Sequence, residues 1–291
     1  MQAFMTMPGM TFGCDPELFI QDKKTGKFVS PDGLIPGTKA EPYKVPGGAV
    51  QQDGMAAEFN IDPSSSFLEF NSNITKVLGH LLKMLPRHLQ LTSLPAVVFD
   101  EDVWEGASEK AKELGCSPDF NAWTGSVNPP PNPDNASSPR LRTASGHLHV
   151  GWTEDANVFN AQHIENCRDL VKQYDFYLGA WSLLKDTDNV RRQLYGKAGA
   201  CRFKSYGVEY RVLSNFWVGD VRTRLAVWNR MQVATWKMRD NFLPEIEADI
   251  GLDFKIKDAI DNSELNPDLK SFFRVPVVTM GDTSNIQTIE I

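Results

Sequence analysis

Hydrophobic and polar positions change period several times along this chain, and each change marks an element. In the first sixty residues the apolar positions come in short alternating runs. GCDPELFI (13–20), KFVSPDG and VQQDGMAAEFNI (50–61) are separated by the KKTGK turn and by a Gly- and Pro-rich loop, PGTKAEPYKVPGGA, which predicts hairpins. From Ser64 to about Leu91 the period becomes helical. Phe67, Phe70, Ile74, Val77, Leu78, Leu81, Leu82 and Leu85 share one face behind serines suited to capping, and Pro86 ends or kinks the helix. AVVFD (96–100) predicts a short buried strand, and SEKAKELG (108–115) a short helix closed by glycine. LRTASGHLHVGW (141–152) alternates as a strand. A long helix follows, with Ile164, Cys167, Val171, Tyr174, Leu178 and Trp181 inward. Strands around ACRF and VEYRVL form a hairpin turning at Tyr206 and Gly207. A second long helix begins near Asp220, burying Val221, Leu225, Trp228, Met231, Met238 and Phe242. Beyond 252 the pattern weakens; a last strand is expected at FFRVPVVTM, and 282–291 as a loose tail.

With 291 residues, 41% of them hydrophobic, the chain can build a sizeable core, and we read residues 1–291 as one domain. SVNPPPNPDNASSPR (126–140) reads as a long loop, a candidate lid, because motif residues lie on both sides of it. The net charge of −7 and the lack of a Lys/Arg-rich run argue against a nucleic-acid-binding surface. No basic segment followed by an apolar one opens the chain, and no run approaches the length of a membrane span, so a cytoplasmic location without membrane partners is expected. Cys14, Cys116, Cys167 and Cys201 are scattered without zinc-site spacing and read as reduced, mostly buried thiols. Cys201, beside Arg202, is a weak candidate nucleophile. The composition does not specify an oligomeric state.

Pairs of polar residues at i and i+2 carry the candidate chemistry. Such residues share one face of a strand, so Asp15 and Glu17 converge while Cys14, Leu18 and Ile20 take the other side. Like charges that close need a cation, a shared proton or open water. Glu58 and Asn60 share a face of the next candidate strand, whereas Asp53 beside Gly54 suits a turn. His147 and His149 repeat the spacing, flanked by Gly146 and Gly151, which permit close backbone approach. Glu209 and Arg211 repeat it again, with Arg202 and Lys204 on the preceding strand; a plain cross-strand ion ladder would use the same residues. Glu69, Asn73 and Lys76 fall on the polar side of the first helix, and His80, His88 and His163 sit within helical patterns, where structural roles suffice. Carboxylates with an occasional imidazole suit hard divalent cations, which favours metal-assisted phosphoryl chemistry.

The order of these motifs resembles the glutamine synthetase and glutamate–cysteine ligase superfamily of carboxylate–amine ligases, and most closely its phage-type branch, the COOH–NH2 ligases or amidoligases. GCDPELFI is similar to the superfamily's first metal-binding strand, with Asp15 in place of a glutamate; VQQDGMAAEFNI to the second; SGHLHVG to the S-G-x-H-x-H segment shortened by one residue; and VEYRVL to the late Glu-x-Arg strand. The resemblance implies an α+β fold, a curved, mainly antiparallel sheet forming a funnel with helices packed on its outer face. It implies ATP and two Mg2+ or Mn2+ ions, with Asp15, Glu17, Glu58, His147 and Glu209 as metal ligands. His149, Arg202 and Arg211 would contact the nucleotide, and Arg211, Arg202 and Glu58 would serve catalysis; apart from the resemblance, Lys39 in the PGTKAEP loop reads either as a phosphate contact or as a solvated loop lysine. The activity implied is amide-bond formation between a small-molecule or peptide carboxylate and an amine through an acyl phosphate, in the host cytoplasm if the protein is phage-encoded. A metal-dependent hydrolase, or a nucleotide-binding protein without turnover, would use the same acids and histidines.

Overall fold

Pro16 has no N–H to give to a ladder, and the first strand run breaks there. Residues Thr11–Cys14 form β1 and Glu17–Asp22 form β2, so Asp15 and Pro16 link two strands instead of lying within one. The computed structural model describes residues 9–112, 119–130, 132, 136–239 and 251–274. Twelve further strands follow among them: β3 (Phe28–Val29), β4 (Tyr43–Val45), β5 (Gly48–Asp53), β6 (Ala56–Ile61), β7 (Leu89–Thr92), β8 (Ala96–Val98), β9 (Phe120–Asn121), β10 (Ser126–Val127), β11 (Leu141–Thr143), β12 (Leu148–Gly151), β13 (Ala200–Lys204) and β14 (Gly207–Tyr210). One sheet has the order β1-β12-β14-β13-β9-β10; a second runs β3-β2-β6-β5-β4, with β7 also pairing to β2; β11 and β8 form a separate pair. Every pairing is antiparallel. The architecture is therefore α+β with curled antiparallel sheet, and the two larger sheets join at Asp15–Pro16.

Three helices cover one side of these sheets. α1 (Phe67–Met84) packs on β5 and β6. Ser66 Oγ accepts the Glu69 N–H at 3.3 Å, and the Glu69 carboxylate accepts the Ser65 N–H at 2.9 Å, a reciprocal cap that explains why an exposed Glu69 stands in the first turn. Asn73 departs from the expected solvent side. It is buried, and its amide reaches Asp62 O and Ser64 Oγ, both at 3.3 Å. The helices Ala161–Tyr174 and Val221–Arg239 pack on each other, the first against β13 and β14 and the second against α1. Trp228 meets Phe12, Phe67 and Phe70 at ring separations of 5.0–6.3 Å, joining helix and sheet in the core.

The remaining departures have local causes. The stretch 141–152 is two strands in different sheets, because Gly146 makes a close crossing there: its N–H bonds Leu213 O, and a Cβ would stand 2.4 Å from Ser214 O. The helix after Ala161 continues past Tyr174 as a π-helix, Asp175–Ala180. The expected last strand is a helix as far as it is described, Pro267–Arg274, preceded by another at Leu252–Asn262. The loop expected at 126–140 opens with β10, whose Ser126 and Val127 pair with β9. Residues 131 and 133–135, Cys116, Phe242 and the tail 282–291 lie outside the described residues. No described helix is long and apolar enough to cross a membrane.

Candidate active site

Alternation along β12, β13 and β14 sends Leu148, Val150, Cys201, Val208 and Tyr210 into the core beneath the helices and leaves His149, Arg202 and Glu209 on the opposite face. Register then aligns them: His149 stands opposite Glu209 on one side of β14, and Arg202 opposite Glu209 on the other. In the second sheet Leu18, Ile20, Ala57 and Phe59 enter the same core, and Glu17 stands directly opposite Glu58. One cavity is lined from both sheets, by Asp15, Glu17, Glu58, His147, Arg202 and Arg211, with Lys39 and Asp53 also on its wall.

At one end the charges are matched. Asp15 Oδ1 lies 3.0 Å from His149 Nε2 and 3.4 Å from His147 Nδ1. Glu209 is paired to Arg211, to Lys204 at 2.8 Å and to Arg202 at 3.8 Å, and Arg211 also meets Asp119 at 2.6 Å. Burial opposes ionisation of Asp15, but the imidazoles of His149 and His147 outweigh it and hold the carboxyl well below its usual range. Burial and the Asp15 charge likewise oppose Glu209, yet Arg211 and the two histidines bring it down to about 2. His147 is lowered by burial and Arg211; His149 is raised against burial by Asp15.

At the other end burial and neighbouring acids outweigh the distant charges of Arg211 and Arg191 on Glu17. Glu17 accepts the Ser145 N–H at 2.7 Å, and Glu58 accepts the Gln51 amide at 2.7 Å. Among the described residues no cation forms an ion pair with either. Burial, with the charge of Asp53, raises Glu17 to about 7. Burial, then Asp15, Asp53 and Glu17, raises Glu58 well above the usual range. Lys39 sits 2.7 Å from Asp53, the lysine exposed and the carboxylate half-buried. Asp53 ends β5 ahead of Gly54, whose φ of 55° makes the turn into β6.

The resemblance implied His147 as a metal ligand and His149 as the nucleotide contact. Among the described residues, Asp15, His149 and Glu209 bring ligand atoms within 4.8 Å of one another, and His147 Nδ1 stands beside them, 3.4 Å from Asp15 Oδ1. These donors fit a divalent cation: Asp15 Oδ1 and His149 Nε2 are buried and face each other at 3.0 Å, and carboxylate oxygen with imidazole nitrogen suits Mg2+ or Mn2+. The His149 Nδ1 contact with the Tyr206 hydroxyl fixes the ring and leaves Nε2 for the ion. Several participants carried no sequence signal. Asp119, Ser145 and Tyr206 each act through a partner distant in sequence, and Asp175 sits in the π-helix behind the sheet. There it accepts from Trp123 Nε1 and the Gly199 N–H, both at 2.6 Å, and from the Tyr210 hydroxyl at 2.8 Å. This anchors the residue next to Glu209 from its buried side. Cys201 is wholly buried and its thiol is raised well above the ordinary value, so it is no nucleophile. His163 is structural, its Nε2 lying 2.9 Å from Lys204 O.

No protein-family model matches this chain, and no curated protein matches it. Among solved structures, a bifunctional glutathione synthetase from Pasteurella multocida aligns with it at 11% identity and a TM-score of 0.38, over 91% of this chain and 46% of that one. The chain thus spans less than half of that protein's length, and a likeness at this level defines neither fold nor activity.

Proposed function

We propose that this protein is an ATP-dependent carboxylate–amine ligase of the glutamine synthetase and glutamate–cysteine ligase type, joining a small-molecule or peptide carboxylate to an amine through an acyl phosphate. One observation carries the reading. Glu17 and Glu58 face each other across neighbouring strands, with no ion-pair partner among the described residues, in the cavity that also holds Asp15, His147, Arg202 and Arg211. Like charges directly opposite on a sheet are destabilising, so their retention points to an added cation.

Asp15, His149 and Glu209 would hold one divalent cation, and Glu17 with Glu58 a second. Bound there, Mg2+ or Mn2+ would neutralise phosphate oxygens during transfer. The chain's own part is positioning and charge. Arg202 and Arg211 offer guanidinium groups to the phosphoryl oxygens, and Asp119 orients both, at 3.7 and 2.6 Å. Gln51 fixes Glu58 Oε2, keeping Oε1 for the cation or for the proton that the attacking amine releases. Lys39 lines the same cavity, where its ammonium would meet the nucleotide's phosphates.

Calorimetric titration of Mg-ATP into the wild type and into folded Glu17→Gln and Glu209→Gln variants tests this. Micromolar binding that requires Mg2+ and disappears in both variants is expected. A wild type that binds no nucleotide would overturn the ligase and favour a nucleotide-independent metal hydrolase built from the same acids.

A further inference from the structure

Arg211 and Asp119 meet at 2.6 Å on the cavity side of the sheet, although their strands are not neighbours. Asp119 leads into β9 and Arg211 follows β14, with β13 between them. Strands two places apart are separated by roughly 10 Å, and no ladder bond joins them, so the curvature of the sheet decides whether these side chains meet. On the rear of the sheet one carboxylate spans the same gap. Asp175 Oδ2 accepts from Trp123 Nε1, two residues past β9, and from the Gly199 N–H just ahead of β13, both at 2.6 Å. Its Oδ1 accepts from the Tyr210 hydroxyl on β14 at 2.8 Å. Asp175 is wholly buried and its three donors are uncharged, a costly placement for a carboxylate unless the geometry it fixes is needed. The helix is shaped to this contact. Asp175 opens the π-helix, and Gly179 within it leaves room for the Tyr210 hydroxyl, which a Cβ there would approach to 2.7 Å.

We propose that Asp175 is a positioning residue: by bracing β9, β13 and β14 together from the core, it sets the curvature that brings Arg211 and Arg202 to Asp119 on the cavity wall. It touches neither arginine. Asp119 Oδ1 stands 2.6 Å from Arg211 Nε and 3.7 Å from Arg202 Nε, so one carboxylate on the front collects cations from the strands that another holds from behind. Oδ1 of Asp175 carries the arm to β14 and Oδ2 carries the other two, so either arm can be cut while the other stays in place. That the arginines serve phosphoryl transfer rests on the ligase reading; the brace itself does not.

Tyr210→Phe cuts the arm to β14 and Trp123→Phe the arm to β9, and neither residue lines the cavity. Tyr174→Phe is the control: it removes a buried hydroxyl, 2.9 Å from Thr235 Oγ1, from the residue before Asp175 and leaves both arms intact. The arginine Nε–H resonances are followed without nucleotide or metal, those of Arg202 and Arg211 being assigned through Arg202→Lys and Arg211→Lys. Both arm-cutting variants are expected to shift the Arg211 resonance, which reports the Asp119 contact, and Tyr174→Phe to leave it at its wild-type position. Mg-ATP affinity is expected to fall about 10-fold in Tyr210→Phe and to hold in Tyr174→Phe. An unmoved Arg211 resonance in either arm-cutting variant, an equal shift in Tyr174→Phe, or wild-type Mg-ATP affinity in Tyr210→Phe despite a shifted resonance would each overturn the proposal. A wild type that binds no Mg-ATP overturns the ligase alone, and the resonances still decide the brace. Where one variant fails to fold, the other decides it.

Discussion

Glu209 and Glu58 are both mid-strand glutamates with almost no exposure, 1% and 7%, yet their carboxyls are driven in opposite directions. Glu209 is brought down to about 2, while Glu58 is raised well above its usual value. Burial penalises both, so burial does not separate them. Their neighbours do: Glu209 faces Arg202 on β13 and reaches Lys204 and Arg211, whereas Glu58 faces Glu17 on β2 and Gln51 on β5, one a like charge and the other uncharged. The first glutamate is already paired to cations, so a divalent ion held by Asp15, His149 and Glu209 would join an existing ion network. The second has no ion-pair partner among the described residues, and a proton or an added cation would stabilise it.

The strongest way to break this contrast is Glu209→Ala, which leaves Arg211 and Lys204 without their shared carboxylate. A loss of about 3–5 kcal/mol in urea unfolding is expected; a loss under 1 kcal/mol would mean that Asp119 alone compensates Arg211. Glu58→Gln acts in the opposite sense. At pH 8 without divalent cation it should stabilise the protein by about 1–3 kcal/mol, since it removes a charge that burial and three acids disfavour. It should also abolish the rise in melting temperature that Mg2+ gives the wild type. A destabilised Glu58→Gln would show that the carboxylate is already satisfied.

The pH dependence sharpens the comparison further. Glu17 is raised to about 7, so its contribution is fully present below the ordinary carboxyl value of about 4.5 and is lost as pH rises through 7. Glu209, depressed to about 2, contributes above 4.5 and loses it as pH falls toward 2. Burial raises Asp175 to about 7 as well, in the same window as Glu17, so the discriminating quantity is the difference between wild type and Glu17→Gln. The variant should show a shallower loss of metal-free stability between pH 5 and 8, and Mg2+ at pH 8 should restore the wild type. Parallel curves would remove Glu17 from the account. The smallest effect is expected at the Lys39–Asp53 pair, whose lysine is exposed, where Lys39→Met should change stability by no more than about 0.5 kcal/mol.

Much of the site was legible before any fold was known, because period-2 alternation and helix capping are local. Leu18, Ile20, Val208 and Tyr210 had to go one way and Glu17 and Glu209 the other, and the hairpin was readable, although its turn falls at Ser205–Tyr206, one residue before the expected Tyr206–Gly207. Other features required the folded chain. Pro16 was visible, but that it passes the chain between two sheets depends on Ser145 and His147 accepting the N–H groups on either side of it. Phe272 and Phe273 suit a strand as well as a helix, and the helix buries Leu269 of the same segment. Arg142 stands in a stretch that alternates like any half-buried strand, and nothing local marks it as buried against Trp104.

The amino-acid sequence by itself determined which side chains share a face, since that follows from the geometry of one strand. Only the tertiary structure decided which strands are neighbours and in what register. That choice places Glu209 against arginine and lysine and Glu58 against another glutamate, because charges interact across a few ångströms of space regardless of their separation along the chain.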